Sequence, residues 1–166
     1  MHQGDYTKPL KTKPYCRIET IMKIRNHKLV GDDNRNVPFV KATTTGGALT
    51  GGKPRFLVIH YTAGASAAGA ISWFSRKPKA IASAHLVIDH DGEITQMLPF
   101  DTVGWHAGES RWKNVKGLNS HSVGIEIANF GVLNQNANGD WVAWTGRSVP
   151  SSRVVLAEHK HSPGVT

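Results

Sequence analysis

Phe56-Leu57-Val58-Ile59-His60-Tyr61-Thr62 is the stretch that decides the fold. Four apolar residues follow Pro54 and Arg55 without a polar break, and Phe, Val and Ile favour extended backbone, so a strand is expected over residues 55–61. An uninterrupted apolar run also predicts cover on both faces, and therefore a central place in a sheet. His60 stands where that strand ends. In open α/β sheets the carboxyl ends of strands are where sites assemble. An imidazole there can ligate a metal through a neutral ring nitrogen, or it can be a core histidine satisfied by a backbone carbonyl. Position alone leaves both open.

Moving toward the C-terminus, Ser66 can cap a helix that carries Ala67, Ala68, Ala70, Ile71 and Phe74 at helical spacing. Pro78 places its end near Lys77. Two short strands follow, over residues 85–89 and 93–98, and Asp91-Gly92 between them is a hairpin signal. A further strand is expected over residues 122–128, with Val123, Ile125 and Ile127 on one face. Asn138-Gly139, ahead of Trp141 and Trp144, suggests a second, smaller hairpin. Strand, helix, hairpin, strand predicts an α/β fold: a mixed central β-sheet flanked by helices.

Toward the N-terminus, residues 41–54 are rich in Thr and Gly, which is loop chemistry. They set off a basic lead, residues 1–54, from a domain over residues 55–166. The chain carries 20 Lys and Arg against 12 Asp and Glu, a formal charge of +8. That excess suits a polyanionic partner, yet a solvated basic lead gives the same composition. No interleaving of basic and aromatic residues points to nucleic acid. One cysteine, Cys16, leaves no internal disulfide and no cysteine-rich zinc site, so a metal would need His and carboxylate ligands. The longest apolar run, residues 56–59, is far short of the roughly 20 residues of a transmembrane segment. Residues 1–20 have no apolar signal region, so a cytoplasmic start is the default expectation.

Glu126 interrupts an apolar strand on the face opposite Ile125 and Ile127. A carboxylate there needs a partner, a wet cleft or a task. Partial burial would raise its pKa and suit it to general-base work; a structural ion pair is the competing possibility. Trp105-His106-Ala107-Gly108 is compatible with a sugar-stacking rim or with a core plug under a loop. His85, His90, His121, His159 and His161 are scattered, and the last two match a metal spacing only loosely.

Together, the segment 56–62, Ser83-Ala84-His85-Leu86-Val87-Ile88 running to Asp91-Gly92, Trp105-His106-Ala107-Gly108, and Asn119-Ser120 through Ser122-Val123-Gly124-Ile125-Glu126-Ile127 occur in one order. In that order they resemble the N-acetylmuramoyl-L-alanine amidases related to phage amidase lysozymes and peptidoglycan recognition proteins. The resemblance runs from about residue 56 to residue 130.

That resemblance implies one Zn²⁺ held by His60 and by a second His and an Asp or Cys late in the domain. It implies that the metal polarises the amide between N-acetylmuramic acid and L-alanine, that Glu126 is the general base, and that Tyr61, Trp105, His106 and Asn129 adjoin the substrate. Peptidoglycan or a released muropeptide is the implied partner. The family's late segment, a long helix followed by ligands, has no clear counterpart before Thr166, so the last helix and ligand loop are expected to be missing and one sheet face uncovered. The competing function is a non-catalytic peptidoglycan-binding module of the same fold, against which the presence of Glu126 argues.

Overall fold

The structure is a computed structural model that describes residues 22–31, 36–76, 78 and 80–155. In chain order, β1 (Lys23–Arg25) and β2 (Lys28–Val30) form a hairpin. β3 (Phe56–Tyr61) leads to the helix α1 (Ala67–Ser75), then to the hairpin of β4 (Leu86–Ile88) and β5 (Ile94–Gln96). A short ribbon of β6 (Arg111–Trp112) and β7 (Val115–Lys116) precedes β8 (Ser122–Ile127). β9 (Asn134–Gln135) and β10 (Trp141–Val142) make the last hairpin, around Asn138-Gly139.

The main sheet has four strands in the order β3-β8-β4-β5. β8 runs parallel to both β3 and β4, and β4 pairs antiparallel with β5, so the sheet is mixed as expected. Gly92 turns the β4–β5 hairpin with a φ of +88°, a conformation that favours glycine. Ser66 sits in extended backbone at the start of α1, though its side chain makes no capping hydrogen bond. Helical cover of the sheet among the described residues is this one α-helix, with 3-10 turns elsewhere.

The expected central position of β3 is corrected: β3 lies at the sheet edge, and β8 is central. Leu57 and Ile59 are 67% and 65% exposed, while Phe56, Val58 and His60 on the opposite face are partly buried. An apolar run reports hydrophobicity but not which neighbours arrive. β8 holds the centre with polar or small residues at alternate positions, because Ser122, Gly124 and Glu126 line the functional face.

One core layer packs α1 on the sheet. Ala67 and Phe74 meet Ala42, Ala84, Val87, Met97 and Leu98, all buried, and each large side chain contributes about 1.5–3 kcal/mol by leaving water. On the other face Leu86, Phe100 and Val123 gather with Leu29, Ile94 and Ile125. The Thr- and Gly-rich stretch is threaded into this body. Ala42 N–H donates to the Met97 carbonyl, Thr43 Oγ1 to that of Phe74, and Leu49 N–H to that of Asp101. Gln96, 1% exposed, clasps the β1–β2 hairpin by accepting from Leu29 N–H at 2.8 Å and donating to the His27 carbonyl at 2.9 Å. No helix among the described residues is long and apolar enough to cross a membrane.

Candidate active site

Parallel pairing of β3 with β8 sets His60 beside Glu126, and β4 places Val87 on the other side of Glu126. Register partners share a face. Both side chains therefore leave the α1 side of the sheet, near the carboxyl ends of three parallel strands. Two pairs earlier, on the same face, Val58 stands beside Gly124. The missing side chain at Gly124 opens a slot that the His106 ring fills.

His106 reaches this slot on a loop tied down by buried Asn119, whose Oδ1 accepts from His106 N–H at 3.0 Å and from Ala107 N–H at 2.7 Å. Its Nδ1 is 3.2 Å from His60 Nε2, and its Nε2 is 3.4 Å from Ser122 Oγ. The His60 and His106 rings meet edge-on, with centroids 5.3 Å apart. Behind them His85 is fully buried, its ring 5.9 Å from that of His106. His85 Nδ1 accepts from Gly124 N–H at 3.0 Å, so Nε2 carries the proton and donates to the Thr102 carbonyl at 2.8 Å. His85 is thus a satisfied core histidine that fixes the slot.

Burial lowers the pKa of all three imidazoles. It acts alone on His60; for His85 the Thr102 hydrogen bond opposes it. His106 falls to about 4, chiefly through burial, then through proximity to His85 and His60, with a hydrogen bond to the Ser122 backbone working the other way. At neutral pH the cluster is uncharged. Burial moves Glu126 in the other sense, raising its pKa. Glu126 Oε2 is buried without a hydrogen-bond partner among the described residues, and no described Lys or Arg pairs with the carboxylate. That environment favours taking up a proton over a structural ion pair.

His60, His106 and Glu126 are brought together. Tyr61, the next residue along β3, points to the opposite face, exposed, with its ring over Gly131. There Tyr61 and Asn129 line a cleft with Phe130, Trp141 and Arg153. Asn129 Oδ1 accepts from Gly131 N–H at 2.6 Å. Trp105 is 45% exposed, and its backbone is held by Ser83. Sequence reasoning gave no role to His85, Asn119, Ser122 or Gly124. The signal lay in the quoted motifs, which hold all four.

Zinc, which the resemblance implies, finds part of a site here. His60 offers a ring nitrogen, Nδ1, that no described hydrogen bond engages. No group of three His, Cys, Asp or Glu side chains that could hold a metal gathers among the described residues. His159 and His161 lie outside the described residues. The described residues fit one ligand of a zinc ion and not a whole coordination sphere.

Residues 50–165 match the family described as N-acetylmuramoyl-L-alanine amidase. Over 113 residues the chain is 36% identical to the N-acetylmuramoyl-L-alanine amidase XlyA of Bacillus subtilis (strain 168), a span of 66% of this chain and 34% of XlyA. A stretch of 45 residues is 49% identical to the 1,6-anhydro-N-acetylmuramyl-L-alanine amidase AmpD of Escherichia coli (strain K12), 27% of this chain and 25% of AmpD. A solved mutant endolysin from Bacillus subtilis superposes with a TM-score of 0.45 at 33% identity, over 64% of this chain and 65% of that one. The aligned part is about a third of XlyA and a quarter of AmpD.

Proposed function

This chain belongs to the N-acetylmuramoyl-L-alanine amidase family, and from that premise we propose that it hydrolyses the amide between N-acetylmuramic acid and L-alanine in peptidoglycan or soluble muropeptides. The observation that carries the proposal is the pairing of His60 with Glu126 on one face of the sheet, Glu126 having a raised pKa and an unpartnered buried oxygen. A carboxylate in that state accepts a proton from water attacking the amide carbon and returns one to the departing amine of L-alanine. The neutral imidazoles of His60 and His106 add no positive charge to hold Glu126 ionised, so its basicity is kept.

Zinc dependence is part of the proposal, with His60 as one ligand and the remaining donors from outside the described residues. The family match includes His159 and His161. Bound zinc would supply a polarised amide oxygen and a more acidic water. Zinc content of the purified chain, measured for the wild type and for His60→Ala, His159→Ala and His161→Ala, tests this ligand assignment. Equal zinc in all four would sink it.

The test of activity is chemical. The zinc-supplemented chain is incubated with purified peptidoglycan, and new L-alanine amino termini are counted by mass spectrometry. Their appearance supports an amidase. Co-sedimentation with the wall and no new termini would replace it with a non-catalytic binding module.

A further inference from the structure

We infer that His106 is a positioning residue that fixes the tautomer of His60, so that His60 presents its Nδ1 lone pair to whatever it binds. The inference rests on the proposed amidase function and names a part of its machinery.

The direction of each hydrogen bond follows from one obligate acceptor. Ser122 Oγ lies 2.6 Å from the Leu118 carbonyl, which can only accept, so the hydroxyl proton points there. The Ser122 oxygen that faces His106 Nε2 at 3.4 Å is then an acceptor. His106 Nε2 must carry its proton. In a neutral imidazole that leaves Nδ1 bare. The 3.2 Å contact with His60 Nε2 therefore has His60 as donor. His60 is protonated at Nε2, and Nδ1 holds the lone pair.

The opposite arrangement, with His106 donating from Nδ1, would turn its bare Nε2 toward an oxygen whose proton already points to Leu118, and leave a part-buried polar atom unpaired. A 180° flip of the ring offers no escape, because it would put carbon atoms where Nδ1 and Nε2 now face His60 and Ser122. Gly124 admits the His106 ring so closely that a β-carbon would stand 2.7 Å from Nδ1, and Asn119 clamps the backbone at His106 and Ala107. Two rings are thus set by one backbone carbonyl, through Ser122. A partner that fixes tautomer and ring orientation raises a ligand's effectiveness, and losing such a partner typically costs ~10–100-fold in metal affinity.

Long-range ¹H–¹⁵N NMR of the 166-residue chain, stripped of metal at neutral pH, reads each imidazole tautomer directly. The wild type should show His60 and His106 both protonated at Nε2. His106→Asn keeps an oxygen acceptor close to the place of Nδ1 and should hold His60 in that state. His106→Gln places its amide near Nε2 instead, and should let His60 populate both tautomers while its zinc Kd rises ~10-fold or more. Wild-type His60 protonated at Nδ1 would overturn the inference before any variant is made. So would a His60 tautomer and zinc Kd unchanged in His106→Gln. The two proposals fail separately. The stated tautomers with no wall hydrolysis would leave the positioning role and remove the amidase, and hydrolysis with an unmoved tautomer would do the reverse.

Discussion

Gly124 lies directly beneath the His106 imidazole, with room for nothing larger than hydrogen between them. Its backbone angles are ordinary for a strand, so glycine is required by close approach and not by chain conformation. Gly124→Ala should push the ring off its slot and lower stability by about 1–3 kcal/mol, the usual cost of overpacking. Gly69 supplies the control. It sits inside α1 with nothing within 4 Å of its would-be β-carbon, so Gly69→Ala should stabilise by about 0.5–1 kcal/mol. Urea melts of both variants check the pair, and equal effects would mean that helix and slot are not packed as described.

Through its ring nitrogens His85 joins β8 to the loop at Thr102. His85→Leu preserves apolar bulk but leaves the Gly124 N–H and the Thr102 carbonyl without their partner. Each orphaned group costs about 1–3 kcal/mol, so the sum approaches what a small domain can lose. Amide hydrogen exchange should rise first at Gly124. Unchanged protection there would show that the ring is not its acceptor.

The imidazole cluster makes stability fall on the acid side. His60, His85 and His106 have lower pKa values folded than unfolded, so below their ordinary value near 6.5 the unfolded chain binds more protons. Stability is therefore complete above about pH 6.5 and declines as the pH drops, for His106 over the interval down to about 4. Glu126 acts in the opposite sense, because its raised pKa favours the folded state as it protonates, and offsets part of the loss. Melting temperature of the metal-stripped protein should fall between pH 6.5 and 4, and the slope should be shallower in His106→Asn. The same slope in that variant would assign the acid sensitivity to other groups.

Local pattern carried much of this fold. The Asp91-Gly92 hairpin, the helix after Ser66 and the alternation around Glu126 each rest on contacts within a few residues, and each formed. The edge place of β3 was illegible, since hydrophobicity does not say which strand pairs on which side. His106 reaches His60 across 46 positions of sequence, through a loop whose path depends on Asn119, so no window of residues contains that contact. Gly124 reads in sequence as a weak spot in a strand, and only the ring above it gives the position a purpose. The orientation of Tyr61 was open to strand alternation: the neighbour of an inward His60 must face outward.

Glu126→Gln separates chemistry from scaffold at the candidate site. Gln has the shape of Glu, keeps the packing beside Val87 and His60, and can still hydrogen-bond a water molecule. It cannot take up a proton at neutral pH, so loss of a general base should cut turnover of L-alanine-linked substrate by ~10²- to 10⁴-fold. Stability should hold or rise, because the carboxylate is partly buried, has no described cationic partner, and is penalised by desolvation that a neutral amide escapes. In the wild type, the acid limb of activity should lie above the ordinary glutamate range, in the direction of the raised pKa. A buried ion-pair member would behave in the reverse way: its Gln variant would melt early, and the molecules still folded would turn over at nearly the original rate. Calorimetry and mass-spectrometric counting of released L-alanine termini, run on the same preparations, distinguish the two. Early melting with retained turnover would make Glu126 a scaffold residue and leave the site without its base.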